Sequence, residues 1–367
     1  MQSILISCGG TGGHLAPGIA LAEGLAARGR TATLLVSPKQ IDARLSAKYP
    51  DLEFIRLPGA PFSLRPVALG RFLARQTQGF VCGLRLIRAR RPAAIVGFGG
   101  FTTAAVILAA ALHGVPVALH EANRVPGRAI RLFARLAWRV YLPPGVALRG
   151  VAASAVRPAG LPVRREIVRQ PRAAACAALG LDPARPVLLV LGGSQGATPL
   201  NTWVRAELPA FADRGIQVYC VTGPGKGGEE AVTLPAADGR PVAARFVPFS
   251  DRMATLLSAA DLVVSRAGAG TIAELVRCGV PAVLVPFPQA ADDHQRANAA
   301  EFARLGGGAV VAQTGLDQLG PLVRDLIFDE VRLGGMRAAL RRQAQVDPLA
   351  ALLDDLASLQ PVGACVT

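Results

Sequence analysis

The sequence predicts an α/β protein made of two doubly wound, parallel-sheet domains in tandem. Three observations carry this expectation. Short apolar runs alternate with helix-length segments, and one strand, glycine-turn, helix pattern opens at Gly9 and opens again at Gly192. The third is size: 367 residues, 51% of them hydrophobic, suffice for two cores at about 100–200 residues per domain. Nearly continuous apolar strands separated by helices mean parallel sheets covered on both faces. Such apolar content excludes a disordered or fibrous chain.

Taken in order, Ile4-Leu5-Ile6-Ser7 reads as the first strand, and the apolar spacing through Leu21, Leu25 and Ala26 reads as the helix after its turn. Residues 31–36 form the next strand. Residues 92–119 contain no Lys, Arg, Asp or Glu, yet their longest plain apolar piece, 104–112, is far short of the ~20 residues of a membrane span. A buried strand, turn, helix and strand fit better, with strands at 94–96 and 115–119, and another at 140–142. The second half begins at 187–191 and continues with strands at 217–221, 262–264 and 282–285. Turn formers in Pro158-Ala159-Gly160-Leu161-Pro162 place the boundary there, giving domains of 1–162 and 163–344. A last helix at about 345–360 lies too far along the chain to serve the second sheet, and is expected to return to the first domain.

Net charge is +15, and it is unevenly placed. Residues 1–165 hold 22 Lys/Arg against five acids, or +17; the remainder holds 18 against 20, or −2. No acid occurs between Glu53 and Glu121, where Arg65, Arg71, Arg75, Arg85 and Arg88 interleave with Phe62, Leu64, Phe72, Phe80, Leu84 and Ile87. Bases mixed with large apolar side chains suit an anionic lipid surface better than a nucleic-acid groove. The alternative is an amphipathic core helix with its arginines on the wet face. The cysteines Cys8, Cys82, Cys176, Cys220, Cys278 and Cys365 form no C-x-x-C pair and read as reduced, mostly buried thiols. Met1-Gln2-Ser3 lacks the basic start of a signal peptide.

A strand that ends in Gly-Gly-Thr/Ser-x-Gly and opens a helix aims several backbone N–H groups and the positive helix end at one point, which attracts phosphate. That arrangement stands at Gly9-Gly10-Thr11-Gly12-Gly13 and at Gly192-Gly193-Ser194-Gln195-Gly196, with a further glycine turn at Gly97-Phe98-Gly99-Gly100. Tight strand-to-helix packing is the plainer explanation of one such turn, and a matching pair weakens it. The first turn is not G-x-G-x-x-G, the strand ending at Val36 is followed by no acid for a ribose, and no G-x-x-x-x-G-K-[ST] occurs. Nicotinamide enzymes and P-loop ATPases are thereby disfavoured. Two phosphate sites, one per domain and facing each other across a cleft, suggest a diphosphate-bearing donor and a phosphorylated acceptor.

Several motifs occur in one order: Gly9-Gly10-Thr11-Gly12-Gly13-His14 with Pro17-Gly18, His120-Glu121-Ala122-Asn123 with Pro126-Gly127, Gly192-Gly193-Ser194-Gln195-Gly196-Ala197, Ser265-Arg266-Ala267-Gly268-Ala269-Gly270-Thr271 with Glu274-Leu275, and Asp292-Asp293-His294-Gln295 with Asn298-Ala299. Together they resemble the MurG family of peptidoglycan N-acetylglucosaminyltransferases, over about residues 4–345. The resemblance implies a GT-B fold, two Rossmann-like domains, and inverting transfer of GlcNAc from UDP-GlcNAc. The acceptor would be the C4 hydroxyl of MurNAc-pentapeptide on pyrophosphoryl-undecaprenol (lipid I to lipid II), a step in cell-wall biogenesis that bears on cell shape and division. It implies work at the cytoplasmic face of the bacterial inner membrane as a peripheral protein on an anionic membrane surface, with no cofactor, no metal and no nucleic acid.

Carried over residue by residue, the donor contacts fall on Thr11, Gly12, Gly13, Asn123, Arg164, Ser194, Gln195, Ser250, Ala269, Gly270, Thr271, Glu274 and Gln295. Catalytic candidates are His14 and Glu274. Uracil would lie near Phe249-Ser250, and Glu274 would accept the ribose hydroxyls, unless it only complements a helix dipole. Arg164 and the Ser194 turn would neutralise the diphosphate as the C1–O bond breaks, while His294, Gln295 and Asn298 offer groups to the sugar hydroxyls. Asp292-Asp293 reads as helix N-capping. At a helix N-terminus the His14 imidazole is held neutral, so it is a base for the acceptor hydroxyl, a ligand of the acceptor pyrophosphate, or structural. His113 reads as a helix-end residue, and His120 with Glu121 as shaping the cleft.

Ala122 stands where the family usually has Gln, Phe101 where Tyr is usual, and Leu161 where Asn commonly precedes Pro-Val-Arg. The first two remove polar groups on the acceptor side. The rival readings are another GT-B enzyme, such as a diacylglycerol glycosyltransferase or a UDP-GlcNAc 2-epimerase, and a non-catalytic basic module that binds membrane or nucleic acid.

Overall fold

The computed structural model describes residues 3–10, 12–38, 43, 45–60 and 65–359. The chain forms two compact units, Met1–Arg165 with Asp347–Thr367, and Glu166–Val346.

The first unit runs β1 (Ser3–Ser7), α1 (Gly12–Ala27), β2 (Thr31–Val36), β3 (Glu53–Arg56), α2 (Pro66–Arg90), β4 (Ala94–Gly97), α3 (Thr103–Leu112), β5 (Val117–His120), α4 (Arg128–Phe133), β6 (Arg139–Leu142) and β7 (Val156–Pro158). The strands form one parallel sheet in the order β3-β2-β1-β4-β5-β6-β7. Ile4, Leu5 and Ile6 are fully buried, and they fall into two different apolar clusters. Alternate side chains of β1 thus enter opposite layers, which is why the strand reads as an unbroken apolar run. Helix α2 starts with Pro66 in its first turn, where no N–H is missed, and stops where Arg91 turns left-handed ahead of Pro92. It buries only Gly79, Gly83 and Ile87, so Val67 and Leu73 stay 79% and 56% exposed among its arginines.

The second unit runs α5 (Arg172–Leu179), β8 (Val187–Leu191), α6 (Thr198–Asp213), β9 (Gln217–Val221), β10 (Glu230–Pro235), β11 (Pro241–Val247), α7 (Met253–Ala259), β12 (Leu262–Ser265), α8 (Ala269–Cys278), β13 (Ala282–Leu284), α9 (His294–Arg304), β14 (Gly308–Val310), α10 (Leu316–Leu326) and α11 (Glu330–Gln343). Its sheet has the order β10-β11-β9-β8-β12-β13-β14. The expectation of a wholly parallel sheet is corrected here, because β10 pairs antiparallel with β11. Between them the Asp238 carboxylate accepts from the backbone N–H of Arg240 at 3.0 Å and from the guanidinium of the buried Arg185 at 2.9 Å. These bonds fix the turn.

Helix α12 (Pro348–Ser358) then belongs to the first unit. Leu352, Leu353 and Leu356 lie in the same buried cluster as Ile19 and Leu25 of α1. Asp355 accepts from the Tyr141 hydroxyl at 3.0 Å, and Arg28 pairs with Asp354 at 2.7 Å. The returning segment carries Asp347, Asp354 and Asp355 and no base, which moves the charges from +17 and −2 by halves to +14 and +1 by units. Most of the excess stays on the first unit. Cys8, Cys176, Cys220 and Cys278 are buried free thiols; Cys365 lies outside the described residues.

Candidate active site

In each sheet the chain leaves one central strand in one direction and returns on the other side. That switch lies between β1 and β4 in the first unit and between β8 and β12 in the second. Doubly wound sheets bind ligands beyond the carboxyl ends of the strands at this place. The turns that follow β1, β4, β8 and β12 carry several of the site candidates, and the others follow other strands.

In the first unit the turn after β1 leads into α1, which opens at Gly12; Gly13 is exposed and His14 half-buried. Thr11 lies outside the described residues. The His14 imidazole packs on the turn after β4: a β-carbon on Gly99 would lie 3.2 Å from its Nε2, and one on Gly100 3.5 Å from its Nδ1. Two of the three glycine turns therefore meet at this histidine. The Phe101 ring fills the space beside Gly10, 3.3 Å from where a β-carbon there would stand. Thr103 fastens the second turn, its hydroxyl donating to the Gly99 carbonyl and lying 3.0 Å from the Ser7 hydroxyl.

Beyond β5, Asn123 is held by the buried Glu121 carboxylate, which accepts from the Asn123 backbone N–H at 2.8 Å and its side-chain amide at 3.0 Å. The other oxygen of Glu121 takes the Gly127 N–H at 2.6 Å, just before α4. Glu121 is thus the scaffold of the 121–127 loop, a role its position in the motif does not reveal. His120 is buried between Phe98 and Tyr141, and its Nε2 lies 2.9 Å from the Gly160 carbonyl. Burial pushes its pKa down to about 4, so the ring is neutral and belongs to the core. His113 caps the end of α3 and receives a bond from Arg88 at 3.1 Å. Arg164 sits in the first unit and donates to the Tyr49 hydroxyl at 3.3 Å.

In the second unit Gly192 to Gly196 turn from β8 into α6, whose first turn has no side-chain cap. Ser194 and Gln195 are exposed. Gly196 has φ +66°, and a β-carbon there would lie 2.1 Å from the Thr222 carbonyl oxygen. Gly193 has φ +79°, and its β-carbon would meet nothing within 4 Å. The first glycine is required by packing; the second keeps a surface open. Asn201, which belongs to none of the sequence motifs, donates to the Thr222 carbonyl at 2.9 Å and fixes the neighbouring loop.

Helix α8 likewise begins without a side-chain cap, at Gly268, so Ala269, Gly270 and Thr271 present free-ended helix N–H groups with Glu274 one turn on. The preceding turn is fixed from two sides. The buried Asn298 of α9 donates to the Ala267 carbonyl at 3.2 Å, and Arg266 donates to the carbonyls of Val285 and Pro286, both at 3.1 Å. Gln295 accepts from the Phe287 N–H at 2.9 Å, and His294 Nδ1 lies 2.7 Å from the Ala291 carbonyl. Gln295, Asn298 and the α8 turn thus form one cluster at the ends of β12 and β13. The expected capping by Asp292-Asp293 is corrected: Asp293 holds the N-cap position of α9 at φ 54°, but its carboxylate makes no cap bond and pairs with Arg296 at 2.5 Å. Its left-handed backbone turns the side chain away from the helix N–H groups. Ser250, after β11, accepts from the Arg252 N–H at 3.2 Å beside the exposed Phe249.

Comparisons with known proteins give the family. Family models match residues 4–142 (glycosyltransferase family 28 N-terminal domain) and residues 187–347 (glycosyltransferase family 28 C-terminal domain). A protein of Opitutus terrae, "UDP-N-acetylglucosamine--N-acetylmuramyl-(pentapeptide) pyrophosphoryl-undecaprenol N-acetylglucosamine transferase", is 59% identical over 97% of this chain and 94% of its own length. One of the same name from a Synechococcus species is 38% identical over 98% of this chain and 99% of its own. The crystal structure of MurG from Acinetobacter baumannii superposes with a TM-score of 0.72 at 25% identity, covering 97% of this chain and 99% of that one. The chain belongs to glycosyltransferase family 28 and is a glycosyltransferase of the GT-B fold.

Proposed function

We infer that this chain transfers GlcNAc from UDP-GlcNAc to the C4 hydroxyl of MurNAc in the pentapeptide-bearing pyrophosphoryl-undecaprenol lipid, the step from lipid I to lipid II. The observation that supports this most strongly is the 59% identity, over 97% of the chain, to a transferase bearing that name. In the reaction the acceptor oxygen bonds to C1 of GlcNAc from the face opposite the nucleotide. The C1–O bond breaks, its electron pair leaves with UDP, and the hydroxyl proton passes to a base. Negative charge grows on the departing diphosphate, so donors aimed there accelerate the step.

The uncapped N-termini of α6 and α8 supply such donors, Ser194 and Gln195 at the first and Ala269, Gly270 and Thr271 at the second. Glu274 accepts the ribose hydroxyls, and the backbone at Ser250 reads uracil. Gln295 has its carbonyl engaged by Phe287 and offers its amide NH2 to the sugar beside His294, while Asn298 orients the α8 turn. On the first unit Gly12, Gly13 and Asn123 are assigned to the donor by family resemblance. His14 takes the hydroxyl proton or binds the acceptor pyrophosphate. Arg164 is assigned to the diphosphate by family resemblance alone, since its described bond is to Tyr49.

The protein works as a peripheral enzyme at the cytoplasmic face of the inner membrane. This reading is supported by α2, where Val67 and Leu73 are exposed beside Arg71 and Arg75. No helix among the described residues is long and apolar enough to cross a membrane. Each basic residue near an anionic surface contributes about 1 kcal/mol, so release from phosphatidylglycerol vesicles should follow rising salt. The reaction itself is tested by supplying labelled UDP-GlcNAc with a lipid I analogue or with diacylglycerol. Label on the lipid I analogue supports the assignment, and label on diacylglycerol alone overturns it.

A further inference from the structure

The second unit contains a cavity of about 620 Å³ away from its glycine turns. It lies at the C-terminal end of α8, and five arginines line it: Arg169 and Arg172 from the segment entering the unit, Arg277 from α8, and Arg337 and Arg341 from α11. Two carboxylates share it. Asp261 pairs with Arg172 at 2.7 Å, and Glu330 pairs with Arg337 at 3.0 Å. Three guanidinium charges are left over.

Each of the three is placed to reach a ligand. Arg169 uses one terminal nitrogen on the carbonyls of Cys278 and Gly279, at 3.2 and 3.5 Å, which caps α8 and offsets the negative end of its dipole. Arg277 spends Nε on the Ile167 carbonyl at 2.7 Å, which leaves its fork of terminal nitrogens. Arg341 is exposed and makes no hydrogen bond or ion pair to any described residue. A β-carbon on Gly279 would lie 3.8 Å from Arg169 Nη1 and 3.9 Å from Arg341 Cγ, so these two side chains flank one point. In addition, Arg172 Nε is buried with no hydrogen-bond partner among the described residues.

Arg169, Arg277 and Arg341 are exposed around this concavity, and the repulsion between their like charges is relieved by an anion. Several guanidinium groups lining one cavity match oxygens on more than one phosphate, whereas a single carboxylate would leave most of them unused. The volume is that of a small-molecule site. We propose that this cavity binds a small soluble anion carrying two or more phosphate groups, at a site separate from the donor turn. The donor turn stands at the opposite end of α8, ten residues and about 15 Å away along the helix.

The test is titration calorimetry of the full chain with inorganic diphosphate, in the presence of saturating UDP. The expected result is one saturable event that weakens with salt and becomes about tenfold weaker in Arg341→Gln, with UDP affinity and the melting temperature of the free protein unchanged. Arg341→Lys, which keeps the charge and loses the fork, should fall between the two. Absence of a diphosphate event overturns the proposal, as does an event indifferent to Arg341→Gln. Phosphatidylglycerol vesicles form the third arm: Arg341-dependent binding seen with vesicles and not with diphosphate overturns the assignment to a soluble ligand.

Discussion

Gly193 and Gly196 share one turn and a left-handed backbone, yet the structure assigns them different duties, and alanine at each separates packing from ligand approach. Placing alanine in the left-handed region costs about 1 kcal/mol at either position. For Gly193→Ala that is nearly the whole stability cost, because the new methyl meets nothing within 4 Å. In a unit the size of residues 166–346 it amounts to a drop of about 2–4 °C in melting temperature. The Gly196→Ala methyl would stand 2.1 Å from the Thr222 oxygen and 2.7 Å from the Gly223 Cα, so backbone must move by about an ångström to restore ordinary contact. That shift tilts the first N–H groups of α6 and loosens the Thr222 loop, and should cost a further 1–3 kcal/mol.

UDP affinity, measured by calorimetry, responds differently. The Gly193→Ala methyl points into the space the diphosphate is proposed to occupy. Losing one charge-assisted contact there weakens binding at least tenfold while the fold survives. Gly196→Ala loses both affinity and stability. A Gly193→Ala protein that binds UDP within twofold of the wild type would refute the claim that the diphosphate approaches this turn.

Three further outcomes are expected. His120 titrates near 4 in the folded chain against an ordinary 6.5; the unfolded chain therefore takes the proton first, and stability that is whole above pH 6.5 is lost as pH falls towards 4. The loss is about 3 kcal/mol, read as the difference between wild type and His120→Gln in urea unfolding at pH 7 and pH 4, and equal losses in the two proteins would contradict it. Leu356→Ala, at a fully buried site of α12, should cost 2–5 kcal/mol in the first unit; a loss under 1 kcal/mol in denaturant unfolding would mean α12 is no part of that core. His14→Ala lowers kcat by 10²-fold or more if the imidazole is the base; a loss below tenfold in steady-state kinetics leaves it the phosphate ligand or a structural group.

Legibility in the sequence followed burial. Strands β1, β4, β8 and β12 are covered on both faces, so runs such as Ile4-Leu5-Ile6 and Val187-Leu188-Leu189-Val190-Leu191 announce them without ambiguity. The edge strands β3, β7 and β14 are three or four residues long and half exposed, and carry no such run. The β10–β11 hairpin did leave a signal, since Asp238-Gly239 between two alternating stretches is a hairpin turn. The glycine turns were legible because a backbone that must approach another backbone admits no other residue. Glu121 was harder: an acid beside a histidine looks chemical, and only the bonds to Asn123 and Gly127 show that it holds a loop. Halving the chain gives the sign of the charge asymmetry and exaggerates its size, because three aspartates cross back with α12.

The identity of the acceptor decides what this enzyme does, and it is measured by a competition between acceptors. The full chain is given UDP-GlcNAc together with a lipid I analogue and diacylglycerol in the same phosphatidylglycerol vesicles, and UDP release is followed beside the labelled lipid products. The expected product is one GlcNAc on the C4 hydroxyl of the lipid I analogue, in the inverted β configuration, for each UDP released. Release of UDP with no lipid product, or GlcNAc on diacylglycerol, would contradict it.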